Sequence, residues 1–344
     1  MDNKQGGFSA FLARKQVKIS FKRYFIDAMG YMTYGLFSSL LIGTIFDTIA
    51  SQTGWEFLSQ VSSFCSSVTG PAIAVAIGYA LSAPALVLFS LCAVGATSYA
   101  MGGPLGTLLC AIIATEVGKL VSKETKIDIL VTPAVTVLTG YALAALVGPG
   151  VSALMTGFGG LIMRATELRP FFMGILVSVM VGMALTLPIS SAALCASLGL
   201  TGLAGGAATA GCCAQMIGFA VMSFRDNGWG GIAAQGLGTS KIQMGNIARN
   251  PRIWLPTLLT SAITGPVATC IFRMENGIAV ASGMGTCGLV GPIGVMSAPG
   301  FGSPLSWLGL VMVCLVLPAI ISPIIAWPLR KLGWIKDGDC KLDL

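Results

Sequence analysis

The sequence predicts an all-α, polytopic integral membrane protein with about eight to ten transmembrane helices and re-entrant hairpins. Three observations carry that prediction. Hydrophobic residues make up 55% of the 344-residue chain and charged residues 10%, against about 25% charged in a soluble domain. The apolar residues come in runs of about 20, the length that crosses a bilayer core. The 45 glycines let helices approach closely and permit the irregular backbone of broken helices.

Taken in order, residues 1–23 form a basic arm with Lys4, Arg14, Lys15, Lys18, Lys22 and Arg23. Phe8, Phe11, Leu12, Val17 and Ile19 interleave with the cations, as in an amphipathic helix on an anionic lipid surface; a disordered basic tail is the alternative. The apolar run from Tyr24 to Ala50 exceeds the roughly 7–15 residues of a signal-peptide core and reads as a retained span, with Asp27 and Asp47 near its ends. Ser51 to Gly70 is more polar, and Pro71 to Leu91 is the next apolar run. Val94 to Gly106 is rich in small residues, contains Pro104, and is expected to bend or re-enter. Leu108 to Val121 carries Glu116, three residues before Lys119 and on the same helix face. Ser122 to Asp128 is a short charged loop, and Val131 to Leu154 is a span.

Arg164, Glu167 and Arg169 mark an aqueous boundary before the run that starts at Pro170 and ends near Leu187. Pro188 to Thr201 is small and hydroxylic, and Gly202 to Phe224 is apolar but punctuated by Gly and Ala. Arg225 to Asn250 is polar, and Ile253 to Phe272 spans again. Gly277 to Gly302 reads as a second re-entrant hairpin or as an external loop, and Leu305 to Trp327 is the last span. The membrane domain is thus 24–330 and the tail 331–344, where Lys331, Lys336 and Lys341 follow Arg330. Lys and Arg beside spans favour the cytoplasmic side, which predicts both termini inside and an even number of crossings. Pro71–Leu81 and Pro133–Leu143 match at Pro, Ala, Val, Gly, Tyr, Ala and Leu, as a duplicated half would or a small apolar alphabet by chance.

The net charge of +7 sits at span ends, so it speaks for a lipid surface and against nucleic acid. The absence of His excludes imidazole catalysis, phosphohistidine and His metal ligation in this chain. The 10 Cys form no C-x-x-C pair, and most lie in apolar runs, where packing explains them. No phosphate-binding loop, G-x-S-x-G or H-E-x-x-H occurs. No catalytic residue and no cofactor are therefore expected in the chain.

Three ordered stretches resemble the membrane-embedded IIC subunits of the bacterial sugar phosphotransferase system, in the fructose-type branch. Gly103–Lys119, GPLGTLLCAIIATEVGK, is similar to that family's G-F-L-G-A-I-I-A-G helix. Pro188–Ala193, PISSAA, is similar to its G-G-P-V-N-K-A-A segment. Gly238–Pro251, GTSKIQMGNIARNP, lies where the family has G-I-T-E-G-A-I-P-F and then Asp-Pro. The resemblance covers about Gly102 to Phe272 and is nearest to the branch that includes perfringolysin-regulator-like membrane proteins. It implies a homodimeric permease in a bacterial cell membrane, taking a sugar-like small molecule and phosphorylated, if at all, through separate IIA and IIB proteins. The departures are as specific. Ser240-Lys241 replaces the family's Thr-Glu, Ser190-Ser191 replaces its Asn-Lys, and an Asp that precedes its proline falls on Ala184. The alternative implied by the lost carboxylate is a membrane-embedded regulator that keeps the fold without transport.

The candidate substrate-binding residues are Ser190, Ser191, Ser240, Lys241, Gln243 and Asn246. A cation at the midplane costs about 2.5–3.5 kcal/mol on insertion scales and pairs or faces water. Lys241 would then meet an anionic group of the solute, and the neutral side chains would hydrogen-bond its hydroxyls. Otherwise Lys241 belongs to a solvated cytoplasmic loop with Arg225, Arg249 and Arg252.

Overall fold

Long apolar runs without strand-type alternation fold here as helices. The structure, a computed structural model, describes residues 10–342. Phe8 and Lys4 of the expected arm lie outside them. Among the described residues there is no strand, only an isolated bridge between Gly202 and Asn276. The helices are α1 (Lys22–Thr53), α2 (Glu56–Ser67), α3 (Thr69–Ala80), α4 (Ala85–Val121), α5 (Asp128–Thr166), α6 (Pro170–Thr186) and α7 (Ser191–Ser197). They continue with α8 (Gly202–Met222), α9 (Phe224–Ala233), α10 (Met244–Arg249), α11 (Pro251–Ile271), α12 (Ala279–Ser282), α13 (Val290–Met296) and α14 (Pro304–Lys331).

Among the described residues six helices are long and apolar enough to cross a membrane: α1, α4, α5, α8, α11 and α14. The pair α2 and α3, bent by 49°, would be a seventh. Helix α4 is folded back on itself. Gly103, at φ +58°, leaves the helical region, and a Cβ on Gly118 would meet Val87 at 3.0 Å. The two halves therefore run side by side, each about 27 Å long at 1.5 Å per residue. Length and composition thus give six or seven crossings against the expected eight to ten; the folded-back α4 and the 17-residue α6 are where the two counts differ. Pro71–Leu81 closes α3, whereas Pro133–Leu143 runs on inside α5, so the matching stretches end differently.

The chain divides into two compact units, one of residues up to Gly43 with Ser63–Ala153, the other of Thr44–Ser62 with residues from Leu154 on. In the first unit the expected Glu116–Lys119 pair forms at 3.0 Å, but it is more than a surface pair. The Lys119 ammonium is buried and also donates to the carbonyls of Gln16 (2.8 Å) and Leu81 (2.9 Å). Arg23 donates to the same two carbonyls. Two cations thus cap the C-terminal end of α3, where orphan carbonyls and the helix dipole favour positive charge.

The basic arm does not form one amphipathic helix through Arg23. Residues 10–14 make a helical turn and residues 17–20 are irregular, because Arg14 and Lys15 are drawn to Glu124 at 2.8 and 2.5 Å and Lys15 also donates to the Ser122 carbonyl. The hydrogen bond from Lys15, helped by the charge of Arg14, holds the Glu124 carboxyl below its usual 4.5. A depressed carboxylate stabilises the fold above its unfolded value and loses that contribution as pH falls through its lower folded value. A probe on Ala13 is therefore expected to have high anisotropy at pH 7 and low anisotropy well below pH 4.5. In Glu124→Gln the low value should already hold at pH 7; equal anisotropy in the variant and the parent at pH 7 would remove this pair from the account.

In the second unit α8 is the axis. Every residue from Gly205 to Met216 is buried, and α6, α11 and α14 pack around it through small and hydroxyl residues. Ser178 donates to the Ser261 carbonyl at 2.7 Å, and Thr260 and Ser322 hydroxyls meet at 2.8 Å. Apolar surface gains nothing by leaving lipid, so close packing and such hydrogen bonds hold this bundle. Cys212 and Cys213 are fully buried in it, which fits their reading as packing residues.

Candidate functional site

Three breaks in the helices of the second unit lead to one place. The first follows α6. Leu187 is extended (φ −73°, ψ 165°), Pro188 has no N–H to continue the helix, and Ser190 restarts it by accepting from the Ala193 N–H at 3.3 Å. The second follows α9, which turns at Gly228 (φ +57°), passes through a wide turn over Ala234–Gly238 and ends at the extended Thr239. One 3₁₀ turn, Ser240–Gln243, then leads into α10. The third is Gly277 to Gly302, which re-enters as α12, a turn at Gly285 and Gly288, and α13. Ala281 to Cys287 is buried there, so this stretch is a hairpin and not a loop in water. Asn276 holds its base, donating to Thr209 Oγ1 (2.9 Å) and accepting from the Ile278 N–H (2.9 Å).

Lys241 ties the first two breaks together. Its ammonium donates to the carbonyls of Leu185 (2.5 Å), Leu187 (2.7 Å) and Ile189 (2.7 Å), and the residue is 8% exposed. A fourth carbonyl, that of Ala184, lies farther off at 3.4 Å. These carbonyls close the C-terminal end of α6, where the dipole is negative. Among the described residues no carboxylate lies within ion-pair distance of Lys241. The neighbouring Ser240 and Thr186 hydroxyls meet at 2.8 Å. Ser191 joins the third break by donating to the Gly283 carbonyl at 2.7 Å.

Four of the six expected residues, Ser190, Ser191, Ser240 and Lys241, are thus brought together where the breaks meet. Gln243 and Asn246 are buried as well, but their amides turn to residues 340 and 341. Lys241 is not part of the solvated basic loop: Arg225, Arg249 and Arg252 are exposed and Lys241 is not.

Sequence reasoning missed the residue that braces the site. Gln215 is fully buried in α8. Its Oε1 accepts from Trp254 Nε1 (2.8 Å), Thr257 Oγ1 (3.0 Å) and Thr186 Oγ1 (3.3 Å), and its Nε2 donates to Ser261 Oγ at 3.1 Å. One amide therefore links α6, α8 and α11 beside the first break. The signal was present: Gln215 is the one carboxamide in the run Gly202 to Phe224, and a polar residue inside a span is a site candidate.

Chemically the junction offers hydroxyls, backbone groups and one buried positive charge. A family model described as "Phosphotransferase system, EIIC" matches residues 26–342. No curated protein and no solved structure matches the chain.

Proposed function

The chain belongs to the EIIC family of the phosphotransferase system, and from that premise we propose that it is a permease carrying a small polar solute through the junction of the three breaks. The family's members are sugar-type permease components that work with IIA and IIB proteins. The solute in this reading is a sugar, a polyol or an anionic sugar derivative, bound by Ser190, Ser191, Ser240 and Lys241. Separate IIA and IIB partners supply any phosphate at the side where both termini lie, the cytoplasmic face of a cell membrane. Two copies make the working unit.

One observation supports this most: broken helices converge on a buried lysine that has carbonyl partners and, among the described residues, no carboxylate. Irregular backbone at membrane depth is tolerated where protein buries it or where it lines a cavity, and transporters use such breaks to bind solutes. The missing carboxylate shifts the preference toward solutes that tolerate or use a positive charge.

A thermal-unfolding screen of the detergent-purified protein against neutral sugars, polyols, sugar acids and sugar phosphates tests the reading. A solute at 100 times its Kd is expected to add about 2.7 kcal/mol. Cooperative unfolding that no solute class shifts would point instead to a membrane-embedded regulator with the family fold.

A further inference from the structure

Beside α10, four side-chain amides converge on one stretch of backbone. Asn227 donates to the Cys340 carbonyl and accepts from the Leu342 N–H, both at 2.8 Å. Gln243 donates to the same carbonyl at 3.0 Å, and Asn246 to the Lys341 carbonyl at 2.8 Å. Asn250 donates to the Trp334 carbonyl (2.9 Å) and to the Asp339 carboxylate (2.8 Å), while Asp226 accepts from the Gly338 N–H at 3.2 Å. Most of these bonds land on main chain, so the groove holds the backbone of a turn over residues 337–340 and the two residues that follow it. One side chain supplies the anchor. Cys340 is fully buried among Phe219, Met222, Ile253, Ala326 and Ile335, and burial, with Asp226 adding, pushes its thiol up to about 12.

The grip reaches the candidate site. Gln243 also donates to Gln235 at 2.9 Å, and Gln235 to Ser223 at 2.9 Å. Gln243 ends the 3₁₀ turn that carries Ser240 and Lys241. A segment that only trailed in water would need none of these partners, because water satisfies its backbone at no ordering cost. We propose that residues 336–342 form a displaceable strap that locks the elbow Ser240–Asn250, and that the elbow moves only when the strap lifts. Lifting frees the amides of Gln243 and Asn246. That the moving elbow gates a solute rests on the reading above; that strap and elbow open together does not.

Hydrogen exchange of the full chain in detergent separates the two. In Asn227→Ala and in Cys340→Lys, the amides of 240–250 are expected to exchange at least about tenfold faster, together with those of 336–342, while α8 stays protected. Fast exchange at 336–342 with wild-type protection at 240–250 would overturn the proposal and leave a passive tail. A second measurement avoids variants. In the unmodified protein, maleimide labelling of Cys340, resolved by mass spectrometry, should follow the same temperature dependence as exchange at 240–250. Labelling of Cys340 without that temperature dependence, at the rate of free cysteine in solution, would also overturn it. The solute screen can fail without changing either result.

Discussion

Lys241→Met is expected to stop solute uptake and to lower the stability of the second unit by about 1–6 kcal/mol. The figure is a difference between two terms. Three charge-assisted hydrogen bonds at about 1.5–3 kcal/mol each are lost, to the carbonyls of Leu185, Leu187 and Ile189. Removing the buried cation returns about 2.5–3.5 kcal/mol of insertion cost. The first term is the larger because several hydrogen bonds are lost against one desolvation returned, and the abandoned carbonyls lie at and just past the end of α6, where the dipole is negative. Lys241→Arg keeps the charge and several donors in a planar fork, so it should retain part of the stability. Thermal unfolding of the two purified variants checks the order. Wild-type unfolding of Lys241→Met would show that the carbonyls find other partners and that the lysine does not hold the breaks together.

Gly211→Val is expected to prevent assembly of the second unit altogether. A Cβ at this position would lie on the Ser178 carbonyl and 2.7 Å from Ser178 Cα, and backbone atoms of a packed helix cannot swing aside. Overpacking of cores ordinarily costs about 1–3 kcal/mol; here the obstruction is the neighbouring helix itself, so α6 and α8 would have to separate along their whole contact. Gly160→Val is the control, since nothing lies within 4 Å of a Cβ there and a helix interior disfavours Gly. Yield of folded protein and cooperative unfolding, measured side by side, should fall only for Gly211→Val. Equal behaviour of the two would mean that the α6–α8 contact has room the structure does not show.

Much of this was legible in the residues. Composition and run length gave an all-helical membrane protein, and the small-residue stretch Val94–Gly106 marked the fold-back at Gly103. The polar stretch from Ser240 marked the second break, and the glycines of 277–302 marked the third. What was not legible depends on contacts between distant segments. Nothing in the spacing of Lys241 says that its ammonium ends on the carbonyls of Leu185, Leu187 and Ile189, because acceptors on main chain carry no sequence signature. For the same reason Gln243 and Asn246 looked like solute ligands, although their amides grip residues 340 and 341. The basic arm misled in another way. Its interleaved aromatic and basic residues suit a surface helix, yet Glu124, about 110 residues away in sequence, draws Arg14 and Lys15 out of that pattern.

The central claim is that a solute binds where the three breaks meet, and Ser190 gives the most direct test. Its side chain is half-buried, and among the described residues its one hydrogen bond caps α7. Glycine at an N-cap costs only about a few tenths of a kcal/mol relative to serine, so Ser190→Gly removes the hydroxyl and leaves the fold. Calorimetric titration of the solute that stabilises the wild-type protein should give at least about tenfold weaker binding to Ser190→Gly, or about 1.4 kcal/mol, with an unchanged unfolding temperature in the absence of solute. Equal affinity for the two proteins would contradict the claim and move the solute away from the junction.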